Sequence, residues 1–247
     1  MSEATVWVMF GLAAATFLGT SFIIAPYGRH TRPGFGPTLP ARWGWVLMES
    51  PAVVLFVSFF LTGDDPFQPA SLVLVGLWVL HYLQRTFIFP FRMRADGKTM
   101  PLFIAALAIG FNCFNAFLNG RWLSVSGRYP SSWLVDPRFL VGAAIFLVGY
   151  GINLWSDAKL RALRKPGETG YQIPRGGLYE YISCPNYFGE QLEWLGFSLA
   201  AWSLAGLAFA LYTFANLAPR AGAHHRWYKE RFPDYPAQRK AMFPFIW

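Results

Sequence analysis

Seven apolar runs of spanning or near-spanning length follow one another along this chain, and they leave it few folds to choose from. They are Thr5–Ile24, Gly44–Thr62, Ala70–Phe89, Thr99–Asn119, Phe139–Trp155, Tyr187–Ala201 and Leu204–Ala218. In hydrocarbon every backbone N–H and C=O must be bonded within the protein, so runs of this length fold as helices. With 54% hydrophobic and only 14% charged residues among 247, a water-soluble domain is excluded. The last two runs abut and form either one long tilted helix or two shorter ones. The Lys/Arg distribution decides between them. With seven spans and the N-terminus outside, 17 Lys/Arg residues fall inside, and only Arg121, Arg128 and Arg138 fall outside. Merging the last two runs would leave 11 inside and 9 outside. The expected fold is an all-α integral membrane protein with seven transmembrane helices and a cytosolic C-terminus. Cytosolic loops cap a cofactor cavity.

The polar residues in or beside these runs share one leaflet: Glu49, His81, Tyr82, Arg85, Asn153, Asp157, Asn186, Glu190 and Glu193. Ionisable groups are costly in hydrocarbon, so a shared depth points to one chamber open to one side. Glu49 lies about 8 Å and Tyr82 about 12 Å in from the inner side at 1.5 Å per residue, so they can meet between neighbouring helices. A neutral carboxylic acid beside a phenol is a good donor pair for a substrate carbonyl. A helix–helix hydrogen bond is the alternative. Arg85 is expected to snorkel to the interface, and Asn112, Asn115 and Asn119 to bond between helices.

Asn153, Asp157, Arg161 and Arg164 recur at helical spacing where the fifth run ends, and Asn186, Glu190 and Glu193 where the sixth begins. Between them lies a basic, aromatic and Pro/Gly-rich loop, roughly Ser156–Asn186, of a length that usually carries function. Arg suits phosphate, and Asn and Asp suit ribose or amide groups. Familiar signatures are missing. Gly149-Tyr150-Gly151 is followed by Leu154 at the third-glycine position and lies inside a span, so it is no dinucleotide fold. There is no P-loop, no metal-ligand spacing, and no expected disulfide between Cys113 and Cys184. His224 and His225 are adjacent and must point to different sides. The net charge of +8 is explained by its placement at the inner side, so no nucleic-acid partner is expected. The first run has Glu3 and no Lys or Arg before it, the wrong flank for a cleaved signal peptide.

The segments GYGINLWSDAKLRALRKPGETGYQIPRGGLYEYISCPNYFGE and HHRWYKERFPDYPAQRKAMFPFIW closely resemble the C-terminal half of the steroid 5α-reductase family. HYLQRTFIFP and MESP resemble its N-terminal half, so the likeness runs over nearly the whole chain. The resemblance implies a seven-helix NADPH-dependent reductase of the Δ4 bond of 3-oxo steroids. Residues 5–89 would build the substrate pocket and 99–247 the NADPH site, in one domain. Glu49 and Tyr82 would bind the 3-keto oxygen. Asn153, Asp157, Arg164, Tyr171, Asn186 and Glu190, with Arg220, His224 and Tyr228 from the tail, would hold NADPH, and Arg161 is a further candidate. Met48 stands where close mammalian relatives carry Gln, and Arg175 replaces a Gln in the Ile-Pro-x-Gly-Gly turn. Alternatives are a reductase of another lipid enone or polyprenol, an isoprenylcysteine-type methyltransferase, a transporter, and a sterol-binding protein without catalysis. The substrate is expected to enter a monomer from the bilayer. Arg outnumbers Lys 16 to 5, which points to a bacterial inner membrane rather than the endoplasmic reticulum.

Overall fold

The computed structural model describes residues 3–64, 66–94, 97–127, 129–163 and 170–247. Within these, seven long helices correspond to the seven apolar runs. They are α1 (Glu3–Phe22), α2 (Ala41–Leu61), α3 (Pro69–Arg92), α4 (Leu102–Arg121), α5 (Pro137–Ala162), α6 (Pro185–Ala200) and α7 (Leu204–Arg231). The last two are separate helices, as the charge distribution required. Trp202 turns out of α6 with a φ of 44°, and the Ser203 hydroxyl caps α7 by accepting from the Gly206 N–H at 2.9 Å.

Five helices, α1 to α5, are long and apolar enough to cross a membrane, α4 counted with the turn that follows it. The other two differ from the expectation for physical reasons. With 16 residues, α6 is only about 24 Å long at 1.5 Å per residue. After an apolar first half, α7 runs on into the polar Arg220–Arg231. Both pack mainly against protein: Trp194, Phe197, Ala205, Ala208 and Phe209 are buried.

Small residues set the closest helix pair. Gly142 and Gly149 on α5 face Gly196 and Gly189 on α6, each pair seven residues apart. A Cβ at Gly196 would lie 2.4 Å from the Phe146 nitrogen, and one at Gly149 would lie 2.5 Å from the Gly189 carbonyl oxygen. No side chain fits, and the backbones touch. Proline shapes another contact. Pro219 inside α7 cannot donate to the Ala215 carbonyl, and Thr20 of α1 donates to it instead, at 3.0 Å. The core is aromatic: Trp78 stacks on Phe56 at 4.3 Å and donates from Nε1 to the Ala52 carbonyl at 2.7 Å.

At the end away from the tail, the segment after α4 is more ordered than an irregular excursion. It forms a π turn (Trp122–Ser126) and a 3-10 turn (Ser131–Val135). Tyr129 Oη and Trp133 Nε1 donate to the Ala201 and Ala200 carbonyls, which the end of α6 leaves open. At the other end, β1 (Thr38–Pro40) pairs antiparallel with β2 (Thr99–Pro101), with Leu39 opposite Met100. This small sheet ties the connection before α2 to the one before α4. The tail folds over the loop before α6. Ser183 Oγ bonds both His225 Nδ1 (2.7 Å) and Tyr235 Oη (2.6 Å), and buried Arg239 donates to the Pro174 carbonyl at 2.9 Å.

Candidate active site

A single large cavity of about 770 Å³ runs from the middle of the bundle to the basic end. Its deep part is built by α2, α3 and α4. Glu49 lines it from α2, Tyr82 and His81 from α3, and Asn112 from α4. Glu49 and Tyr82 line the same cavity, as their similar depths allow. Each is held by an asparagine of α4. Asn112 Nδ2 donates to the Met48 carbonyl at 2.6 Å and to Glu49 Oε2 at 3.2 Å, while Asn115 lies beside the Tyr82 hydroxyl. The expected interhelical bonding of this asparagine stripe is present for Asn112, where it fixes a site residue. Asn119 bonds instead within its own helix, to Asn115.

Arg85 corrects an expectation. It does not snorkel outward; its side chain is only 16% exposed and faces the cavity 4.0 Å from Glu190. It lies over the rings of Trp45 (4.5 Å) and Phe89 (4.7 Å). The cause is local. Pro90 cannot donate within the helix, and the chain widens into a π turn over Gln84–Ile88, one turn past Tyr82.

Toward the basic end the cavity is lined by Asp157, Arg161, Tyr171, Asn186, Glu190, Arg220, His224 and Tyr228, all expected there. Asn153 is not on the wall; from behind it donates to the Asn186 carbonyl at 3.0 Å, and Asn186 in turn donates to Asp157 at 3.2 Å. Arg164 lies outside the described residues. Arg220 lines the cavity but is occupied: Nε donates to Tyr187 Oη, and Nη1 and Nη2 donate to the Ala25 and Tyr27 carbonyls. It therefore braces the segment between α1 and α2.

That segment supplies what sequence reasoning missed. Arg29 lies within 5.0 Å of the ring centres of Tyr171, Trp227 and Tyr228, and its Nη2 donates to Tyr228 Oη at 3.3 Å. Arg29 Nη1 and Arg161 Nη1 are both buried with no hydrogen-bond partner among the described residues. Nothing in the local sequence around Arg29 announced this; only the fold carries it to the tail. Arg29, which precedes residue 89, lines the same cavity as Asp157, Arg161 and Tyr228 from after residue 99.

His224 and His225 diverge as their adjacency required, His225 toward Ser183 and His224 into the cavity wall. His224 Nδ1 meets His30 Nε2 at 2.9 Å, and its Nε2 meets Tyr187 Oη at 3.1 Å. Arg220 donates to the Tyr187 oxygen, so the Tyr187 proton is free to go to His224, and both imidazoles are neutral in this arrangement. Burial, with Arg220, Arg29 and Arg32 nearby, pushes His30 down to about 4. Burial, with Arg29, Arg220 and His30, holds His224 well below the histidine range. Burial lifts the Cys184 thiol to about 12, so it is no nucleophile. Among the described residues no cluster of ligands could hold a metal ion.

The arrangement joins a carboxyl and a phenol on α2 and α3 to a wall rich in Arg, Asn, Asp and aromatic rings. A family model described as 3-oxo-5-alpha-steroid 4-dehydrogenase matches residues 98–247. The 3-oxo-5-alpha-steroid 4-dehydrogenase 1 of Bos taurus is 44% identical over 99% of this chain and 96% of that protein. Its counterpart in Homo sapiens is 42% identical over 98% and 94%. The steroid 5-alpha-reductase DET2 of Gossypium hirsutum is 43% identical over 97% and 95%.

Proposed function

The chain belongs to the 3-oxo-5-alpha-steroid 4-dehydrogenase family, oxidoreductases acting on CH–CH groups, and we propose that it reduces the Δ4 bond of 3-oxo-Δ4 steroids with NADPH. The observation that carries the cofactor reading is a pair of buried guanidinium nitrogens, Arg29 Nη1 and Arg161 Nη1, on residues lining the cavity, neither with a hydrogen-bond partner among the described residues. A buried guanidinium N–H left unbonded is costly, and a polyphosphate is the ligand whose charge and acceptor oxygens fit both. Asp157 and Asn186 suit the ribose and amide groups, and Tyr171, Tyr228 and His224 offer flat faces and donors around them. NADPH, when bound, supplies the hydride that adds to the β carbon of the enone.

The protein's own part is positioning and charge stabilisation. As the β carbon is reduced, negative charge develops on the carbonyl oxygen. Tyr82 and Glu49 donate to that oxygen in a low-dielectric pocket, where fixed donors matter most. Asn112 holds Glu49 in place, and Asn115 neighbours the phenol. The apolar wall of Met48, Met100 and Phe103 excludes water around the reacting carbons.

We read α6 and the first half of α7 as the sixth and seventh spans, with Leu195, Leu204, Leu207 and Leu211 left exposed to lipid. The N-terminus lies outside, the cofactor arrives from the cytosol, and the membrane is a bacterial inner membrane. The steroid enters from the bilayer between α1 and α4, both of which line the cavity: Gly19 and Thr20 on one side, Leu107 and Phe111 on the other. Incubation of the detergent-solubilised protein with NADPH and testosterone, read by mass spectrometry, tests this reading. A product heavier by two hydrogens supports it; NADPH binding without product discards the steroid.

A further inference from the structure

One buried ionisable pair has no part in the mechanism above. His81 Nδ1 meets Glu193 Oε2 at 2.6 Å, with His81 4% and Glu193 0% exposed. The two stand on different helices, α3 and α6, among aromatic rings: Trp194 is 4.7 Å from the imidazole centre and Tyr82 is 5.0 Å from it. Glu193 Oε1 is buried with no hydrogen-bond partner among the described residues. Of the two, only His81 lines the cavity, on the same wall as Glu49 and Tyr82. The carboxylate thus sits behind the imidazole, and the imidazole stands between it and the substrate space.

As a strap between helices, this arrangement is a poor one. Two ionisable groups taken out of water are seldom more stabilising than an apolar pair of the same size. As a proton carrier it is well built. A carboxylate on Nδ1 fixes the ring's orientation and stabilises its protonated form, leaving Nε2–H as the acid.

We infer that His81, oriented by Glu193, delivers the proton that the α carbon of the substrate gains. The inference rests on the reductase reading. Hydride addition at the β carbon leaves an enolate whose oxygen is held by Tyr82 and Glu49. The α carbon is bonded to the carbonyl carbon, so it lies close to that pair, and His81 lines the same cavity with its ring 5.0 Å from that of Tyr82. The enolate electron pair forms the new α C–H bond to the proton on His81 Nε2, and the N–H pair stays on the neutral imidazole. Water in the cavity returns a proton to the imidazole, so the turnover consumes one enone, one hydride and one proton. The charged or titratable groups facing His81 are Tyr82 and Arg85 on its own helix, Glu49 on α2, and Glu190 and Glu193 on α6.

The reverse of this step can be watched without any hydride transfer. The protein is incubated in D₂O with the saturated 3-keto steroid, and deuterium at the former vinylic α carbon is located by mass spectrometry. Reduction of the enone and NADPH binding are measured alongside. Wild type is expected to catalyse the exchange. His81→Gln is expected to lose about 100-fold in exchange and in reduction, with NADPH affinity unchanged. Glu193→Gln removes the charge that holds the imidazole proton, so the alkaline fall of reduction, which needs the imidazolium, and the acid fall of exchange, which needs the neutral imidazole, both move to lower pH. A mere strap would lower stability and leave the pH profile in place. Variants that bind NADPH and exchange like wild type overturn the inference. Should both variants lose NADPH binding, the wild type alone decides: exchange must rise with pH over the same range in which reduction falls, and limbs centred at different pH values overturn it. Wild type that does not reduce the enone at all refutes the reductase reading instead.

Discussion

Asn112 donates one amide group to two atoms of α2 at once, the Met48 carbonyl at 2.6 Å and the Glu49 carboxyl at 3.2 Å. The contact crosses from α4 to α2 in the cavity lining, so it sets where the Glu49 carboxyl points. Asn112→Leu keeps the volume and removes the donor. It should lower kcat about tenfold, the worth of one hydrogen bond to an ionisable group, with NADPH affinity intact. Steady-state rates beside cofactor titration check this, and unchanged kcat would show that Glu49 is oriented by other contacts.

Arg29 carries a different consequence. Held among Tyr171, Trp227 and Tyr228, it has one buried nitrogen with no hydrogen-bond partner among the described residues. Arg29→Leu should weaken NADPH binding about 10- to 100-fold, as expected for loss of a charge-assisted bond to phosphate. Calorimetric titration with NADPH reads the change directly. Wild-type affinity in this variant would remove Arg29 from the cofactor site.

The α5–α6 contact predicts a stability effect far from the chemistry. Gly196→Ala puts a methyl group 2.4 Å from the Phe146 nitrogen, which forces the helices apart. Overpacking of this kind costs about 1–3 kcal/mol. A fall in thermal unfolding temperature in detergent is expected, and an unchanged temperature would mean that α5 and α6 do not pack so closely.

His30 and His224 make the basic end sensitive to acid. Burial, with the surrounding arginines, keeps both neutral in the folded protein, with His30 down at about 4 against 6.5 in an unfolded chain. Below pH 6.5 the unfolded chain therefore binds more protons, so this contribution to stability is present above 6.5 and is lost as pH falls toward 4. The unfolding temperature should drop from pH 7 to pH 5, and His30→Gln should flatten that drop. An equal drop in the variant would assign the acid sensitivity to other groups.

Much of this architecture was legible in the sequence because it follows from local composition. Apolar run length gave seven helices, and the break near Ser203 followed from where the tail's charges must lie. Glu49 and Tyr82 were placed together by residue count alone, since a helix converts count to depth. What stayed hidden depends on contacts between distant segments. The shortness of α6, 16 residues, was not signalled by its apolar run, because its ends are set by Pro185 and by the turn at Trp202. Arg85 turned inward through a π turn that no propensity signals. Arg29 and His30 reach the site only because the α1–α2 connection folds under the tail, and the glycines at 142, 149, 189 and 196 acquire meaning only as a facing set.

The central claim is that Glu49 and Tyr82 stabilise the developing oxygen charge at the deep end of a cofactor-binding cavity. It is tested most directly by the NADPH-dependent conversion of testosterone to a product heavier by two hydrogens, in wild type, Glu49→Gln and Tyr82→Phe. The account predicts product from wild type and a loss of about 100-fold or more in each variant, with NADPH bound equally by all three. Wild-type turnover in both variants would contradict it.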